Sequence, residues 1–149
     1  MMGKREAVKA ILEGKGAERI PVIMNAFSLP VARYGYTMPE VMASQEKMTE
    51  CMAGVRRKLG YDGMCAGVYG GVAAMMGGHL PNSEGNIVGD GDDVVHSMED
   101  IKKLRPYDPE KCPMLKNLVK TVKLMREEEP DEPIYVILHV PAAVAFTLL

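Results

Sequence analysis

Apolar and polar positions along the chain alternate between two periods, which sets the order of elements. From Lys4 to Glu13, Ala7, Val8, Ile11 and Leu12 fall on one face, the spacing of an amphipathic helix. Gly14 and Gly16 end it. Pro21–Met24 is a short apolar run of strand type, and residues 25–36 read as irregular, punctuated by Pro30 and Gly35. Thr37-Met38-Pro39-Glu40 has the form of a capping box, so a helix starts near Pro39. It runs to about Leu59 with a break near Ser44, and Met48, Cys51, Met52, Val55 and Leu59 make its buried stripe. Arg56, Arg57 and Lys58 suit the negative end of the helix dipole, and Gly60 stops the helix.

A second strand follows over 62–68. It opens into a glycine-rich turn, and Val72–Met76 has room for one helical turn. Residues 79–93 are polar and Gly-rich with neither period, a long loop of the kind that is often functional. Ser97 opens a short helix that ends near Leu104. Pro113–Glu128 is a helix with Leu115, Leu118, Val119, Val122 and Met125 inward, and 127–131 is an acidic, solvated turn. Pro133–Val140 is a buried β-branched strand, and a final helix begins after Pro141. Helices alternating with three strands predict βα units and a parallel sheet.

In such a sheet, ligands gather at the C-terminal ends of the strands. That rule selects Asn25 with Ser28, then Tyr69, then His139 as pocket candidates. Arg33 joins them as the one arginine of its loop, against the plainer reading of a solvated residue. Gly67, Gly70 and Gly71 are the positions where a cofactor or ligand could approach the main chain. They do not form a G-x-G-x-x-G fingerprint, so a dinucleotide site is not expected. Asp90-Gly91-Asp92-Asp93 lacks the spacing of a calcium loop, because its twelfth position is Ile101.

Composition narrows the classes. The 149-residue chain has a net charge of −2 and no Trp, which argues against nucleic acid or an anionic membrane as partner. No apolar run is long enough to span a bilayer, and the charged N-terminus is unlike a signal peptide, so a cytoplasmic location is expected. Three cysteines far apart imply reduced thiols, with Cys65 a small buried hydrophobe in its strand. Thirteen methionines read mainly as adaptable core filler. His79, His96 and His139 stand alone, without His-x-Cys or Cys-x-x-Cys, so the chain carries no readable metal site.

Five blocks in order, KREAVKAILEGKGAERIPV, YTMPEVM, GYDGMCAGVYGGVAAMMGG, SMEDIKKLRPYDPE and PIYVILHVPAAVAFTLL, resemble the uroporphyrinogen decarboxylase (URO-D) superfamily. The resemblance implies an α/β fold, the N-terminal part (about three βα units) of a (β/α)8 TIM barrel of about 250 residues or more. Residues 1–149 would be one partial barrel domain lacking its C-terminal half. The decarboxylases of that superfamily carry a paired-arginine motif after the first strand and an Asp at the end of the second. Here the arginine registers fall on Ala26 and Tyr36, and the Asp position falls on Tyr69. These departures resemble the cobamide-dependent methyltransferase branch. That branch implies a corrinoid and a zinc site in the other half of the full-length protein, with no cofactor bound by this chain alone. The partner would be a small molecule or a corrinoid protein. Two other readings stay open: a divergent uroporphyrinogen decarboxylase in which Arg33 replaces the pair, and an inactive half-barrel, a truncated product stabilised as a homo-oligomer.

Overall fold

The structure, a computed structural model, describes residues 2–25, 27–69, 95–104, 108, 110, 113–138, 140–142 and 145. The elements are α1 (Lys4–Leu12), α2 (Ser28–Arg33), α3 (Met38–Ala43), α4 (Gln45–Leu59), β1 (Met64–Tyr69), α5 (Met98–Lys103), α6 (Pro113–Glu128) and β2 (Ile134–Leu138). β1 and β2 pair in parallel, with Met64 opposite Ile134 and Tyr69 opposite Leu138, and a register shift between Cys65 and Val68. The helices α4 and α6 pack on each other and on β1.

The break at Ser44 is real. Thr37 caps α3, accepting from the Glu40 N–H at 3.4 Å, while the Glu40 carboxylate accepts from the Thr37 N–H at 2.8 Å. Ser44 then leaves the helical conformation and caps α4, its Oγ accepting from the Lys47 N–H at 3.2 Å. Two side-chain caps seven residues apart thus turn one amphipathic pattern into two helices. At the far end Gly60 adopts φ 76°, the left-handed conformation of a helix C-terminus.

The core lies between the helices and one face of the sheet. Val31, Met38, Val41, Met48, Cys51, Met52, Ala53, Met64, Ala66 and Met125 form one buried cluster. Half of these are methionines, so the filler reading holds for them. Unbranched thioether chains fill the uneven space where four helices, α2, α3, α4 and α6, meet the two-stranded sheet.

Four expectations need correction. Residues 21–24 form no strand. Pro21 has no N–H, and the Val22 N–H donates to the Asp62 carboxylate at 2.9 Å instead of to a neighbouring strand, while the Val22 carbonyl accepts from the Asp62 N–H at 2.7 Å. The described sheet therefore has two strands rather than three. Residues 28–33, read as irregular, form α2, because Pro30 sits in the first turn where its missing N–H costs nothing and Val31 is fully buried. The buried stripes are narrower than their periodicity suggests. Ile11, Leu12, Leu59 and Val119 are exposed, since α1 meets the body only through its first turns and α6 faces α4 with Leu118, Thr121, Val122 and Met125. Finally, β2 is half-buried and Leu138 and Val140 are exposed.

Candidate functional site

Parallel pairing sends the C-terminal ends of β1 and β2 the same way, so Tyr69 and Leu138 finish side by side. This rim is where a βα sheet binds ligands. Gly70, Gly71 and His139, the candidates that follow each strand, lie outside the described residues. Gly67 is inside β1 and buried, and its carbonyl accepts from the Cys65 thiol at 3.5 Å.

The remaining candidates do not gather at one point. Asn25 is exposed in the segment that leads from Met24 toward α2. Ser28 and Arg33 are exposed at opposite ends of α2. Among the described residues Arg33 forms no ion pair. What fastens this segment to the sheet is Tyr135, whose hydroxyl donates to the Met24 carbonyl. Burial pushes the Tyr135 phenol well above its ordinary range, with neighbouring Cys65 adding to the effect, so it stays a neutral donor.

The strongest electrostatic assembly sits at the other end of the strands. Asp62, 1% exposed, stands just before β1, and Glu132 just before β2. Asp62 takes a two-pronged contact from Arg19, at 2.6 Å and 2.5 Å, plus the Val22 N–H. The Arg19 hydrogen bonds are the main reason its carboxyl is held down at about 2. Lys4 lies 4.0 Å from Asp62 and 3.2 Å from Glu132. The buried Arg56 reaches Glu132 at 2.8 Å and Glu129 at 3.1 Å, and Arg57 contacts Glu129 at 2.6 Å and also Glu128. The 127–131 turn is thus tied to α4 rather than merely solvated. Arg126 closes the same turn by donating to the Pro130 and Glu132 carbonyls at 2.6 Å and 2.8 Å.

Sequence reasoning missed this network. A lone Asp in GYDG and a Glu before Pro133 look like surface charges, and nothing local says that Arg19, 43 residues away, reaches Asp62. Placed at the N-terminal ends of the strands, away from the binding rim, it reads as a stabilising lattice.

Two cavities among the described residues lie on the helical exterior. One, of about 530 Å3, has Tyr34, Glu50, Arg57 and Leu124 in its walls, and the other, of about 730 Å3, runs along Leu115, Leu118 and Val119 of α6. Among the described residues no group of three His, Cys, Asp or Glu side chains could hold a metal ion. Cys51 and Cys65 are buried free thiols, and burial pushes Cys51 up to about 11. No described helix is long and apolar enough to cross a membrane.

Comparison with known families adds the deciding observation. The family profile described as uroporphyrinogen decarboxylase (URO-D) matches residues 3–149. The chain belongs to the URO-D family. URO-D proteins form a TIM-barrel family, and the parallel β1–β2 pair with its covering helices is consistent with part of such a barrel. No curated protein and no solved structure matches the chain significantly. Within a URO-D barrel, the Asp62–Glu132 network lies at the bottom and Tyr69 at the rim.

Proposed function

We propose that the protein is part of a URO-D-superfamily enzyme of the corrinoid-dependent methyltransferase kind. The reading rests on the residue that closes β1, which is Tyr69. At the matching place the decarboxylases present an Asp to the pyrrole nitrogens of their substrate. A phenol with an ordinary pKa near 10 is neutral at pH 7 and offers no anionic charge to pyrrole N–H groups. The nearest carboxylate of the same strand region, Asp62, stands at the opposite end and is engaged by Arg19. Arg33 is a single cation at the exposed end of α2, not a pair aimed at a substrate's carboxylates.

The described residues do not fit a zinc site, so no step is routed through zinc in this chain. The ligands are assigned to the other half of the protein. In this proposal the present residues supply part of the rim and the floor beneath it.

The test is methyl transfer from methylcobalamin to thiols by the full-length protein, followed by the absorbance change of the corrinoid. Transfer is expected. Conversion of uroporphyrinogen to coproporphyrinogen without any methyl transfer would replace this reading with the decarboxylase one.

A further inference from the structure

The two faces of the sheet are used differently. Met64, Ala66, Ile134 and Val136 pack into the core under the helices. Alternation along the strands then turns Cys65 and Tyr135, which are opposite each other in register, to the other face. In a parallel barrel that face is the interior. Cys65 is small and buried there, whereas Tyr135 is long and crosses its neighbours. Its Cδ1 stands 3.6 Å from where a Cβ on Gly63 would be, beside the start of β1. Its hydroxyl reaches on to the Met24 carbonyl, 111 positions away in the chain. One side chain thus joins β2, the entry to β1 and the 21–24 run. That run forms no strand, and its start is tied at Val22, whose N–H and carbonyl both engage Asp62. Beyond Val22, among the described residues, the Tyr135 hydroxyl supplies the one hydrogen bond to residues 23–25. Met24 is followed by Asn25, the first of the strand-end pocket candidates. Burial keeps the phenol protonated, so the donor persists across the working pH range.

We propose that Tyr135 is a positioning residue: by holding the Met24 carbonyl it fixes where the main chain leaves the sheet at Asn25, and so places the Asn25 side chain for substrate. The physical effect is preorganisation. Without the bond, Asn25 is tethered only through Val22, and the residues between them regain backbone freedom. Substrate must then select the productive arrangement, which raises the apparent KM by the inverse of its population. A net hydrogen bond corresponds to a factor of about five in that population. Loss of fold stability alone would lower the amount of active protein and leave KM unchanged. Contact between Asn25 and substrate rests on the enzyme reading above, whereas the brace from Tyr135 to Met24 is independent of it.

The experiment uses the full-length protein and Tyr135→Phe, which keeps the ring and removes the hydroxyl. An isotope label on the methionine carbonyl carbon and the asparagine nitrogen isolates the Met24–Asn25 peptide, since Met-Asn occurs once in residues 1–149. With far-UV circular dichroism unchanged, the variant is expected to shift the Met24 carbonyl resonance and to lower the Asn25 order parameter from about 0.85 toward about 0.6. In methyl transfer, Tyr135→Phe is expected to raise KM about fivefold with kcat retained. Added to Asn25→Ala it is expected to cause no further rise, because the two act through one group. An unmoved Met24 resonance would overturn the brace. Additive losses in the double variant, or a fall in kcat at constant KM, would overturn its action through Asn25. Absence of methyl transfer by the wild-type protein counts against the methyltransferase reading alone. The label needs no substrate and still decides the brace, and the same pair of variants is then compared in decarboxylation.

Discussion

Gly63 shows how one residue sets the start of the sheet. It adopts φ 131°, which L side chains rarely reach, and a Cβ there would stand 3.2 Å from the Pro133 carbonyl oxygen. That same oxygen accepts from the Met64 N–H at 2.8 Å, the first rung between β1 and β2. Gly60, with φ 76° and open space around it, requires the conformation but not the room. Gly63→Ala is therefore expected to cost about 2 kcal/mol or more, and Gly60→Ala about 1 kcal/mol. Urea unfolding of the two variants checks the order; equal losses would mean that the Pro133 contact yields freely. Gly60 is legible in the sequence because it follows a helix pattern. Gly63 is not, since its constraint comes from Pro133, 70 positions on.

At the scale of elements, the α4–α6–β2 corner depends on Arg56. Its guanidinium is buried, bridging Glu129 and Glu132, while Arg56 Nε and Glu132 Oε2 find no partner. Removing one member of a buried pair strands the other charge, which is more costly than the pair is worth. Glu132→Ala is expected to destabilise the chain by roughly 3 kcal/mol, with Glu128→Ala, at an exposed pair, near zero. Thermal unfolding of the two variants reads this directly. The helix boundaries here follow from local codes: the Thr37 box, the break near Ser44 and the Pro113 start all stand where the sequence places them. The residue pairs that dock these helices do not.

For the whole molecule, acid sensitivity follows from Asp62. Its folded pKa of about 2 is below the unfolded value near 3.9, so its contribution is full above about pH 4 and is lost as the pH falls through about 2. Asp62→Asn is expected to lower stability by about 2 kcal/mol at pH 6, and the gap between variant and wild type should close toward pH 2. Urea midpoints against pH measure it. A gap unchanged at low pH would assign the loss to packing rather than to charge. Loss of this lattice should free α1 first, because Lys4 is its ionic tie to both strands.

Periodicity and end signals were enough for the described helices other than α2, for both described strands and for the parallel βα character, because those depend on backbone propensity and on which face is apolar over a few turns. They were also enough to set Tyr69 at the end of β1. Three things were decided only in three dimensions. The 21–24 run failed as a strand because a distant side chain, Asp62, took the Val22 donor that a ladder would need. Exposed Leu59 and Val119 show that an apolar stripe is buried only as far as a neighbouring element extends. The Arg19–Asp62–Lys4–Glu132–Arg56 lattice joins charges up to 128 positions apart, from Lys4 to Glu132, and such partners carry no local signature.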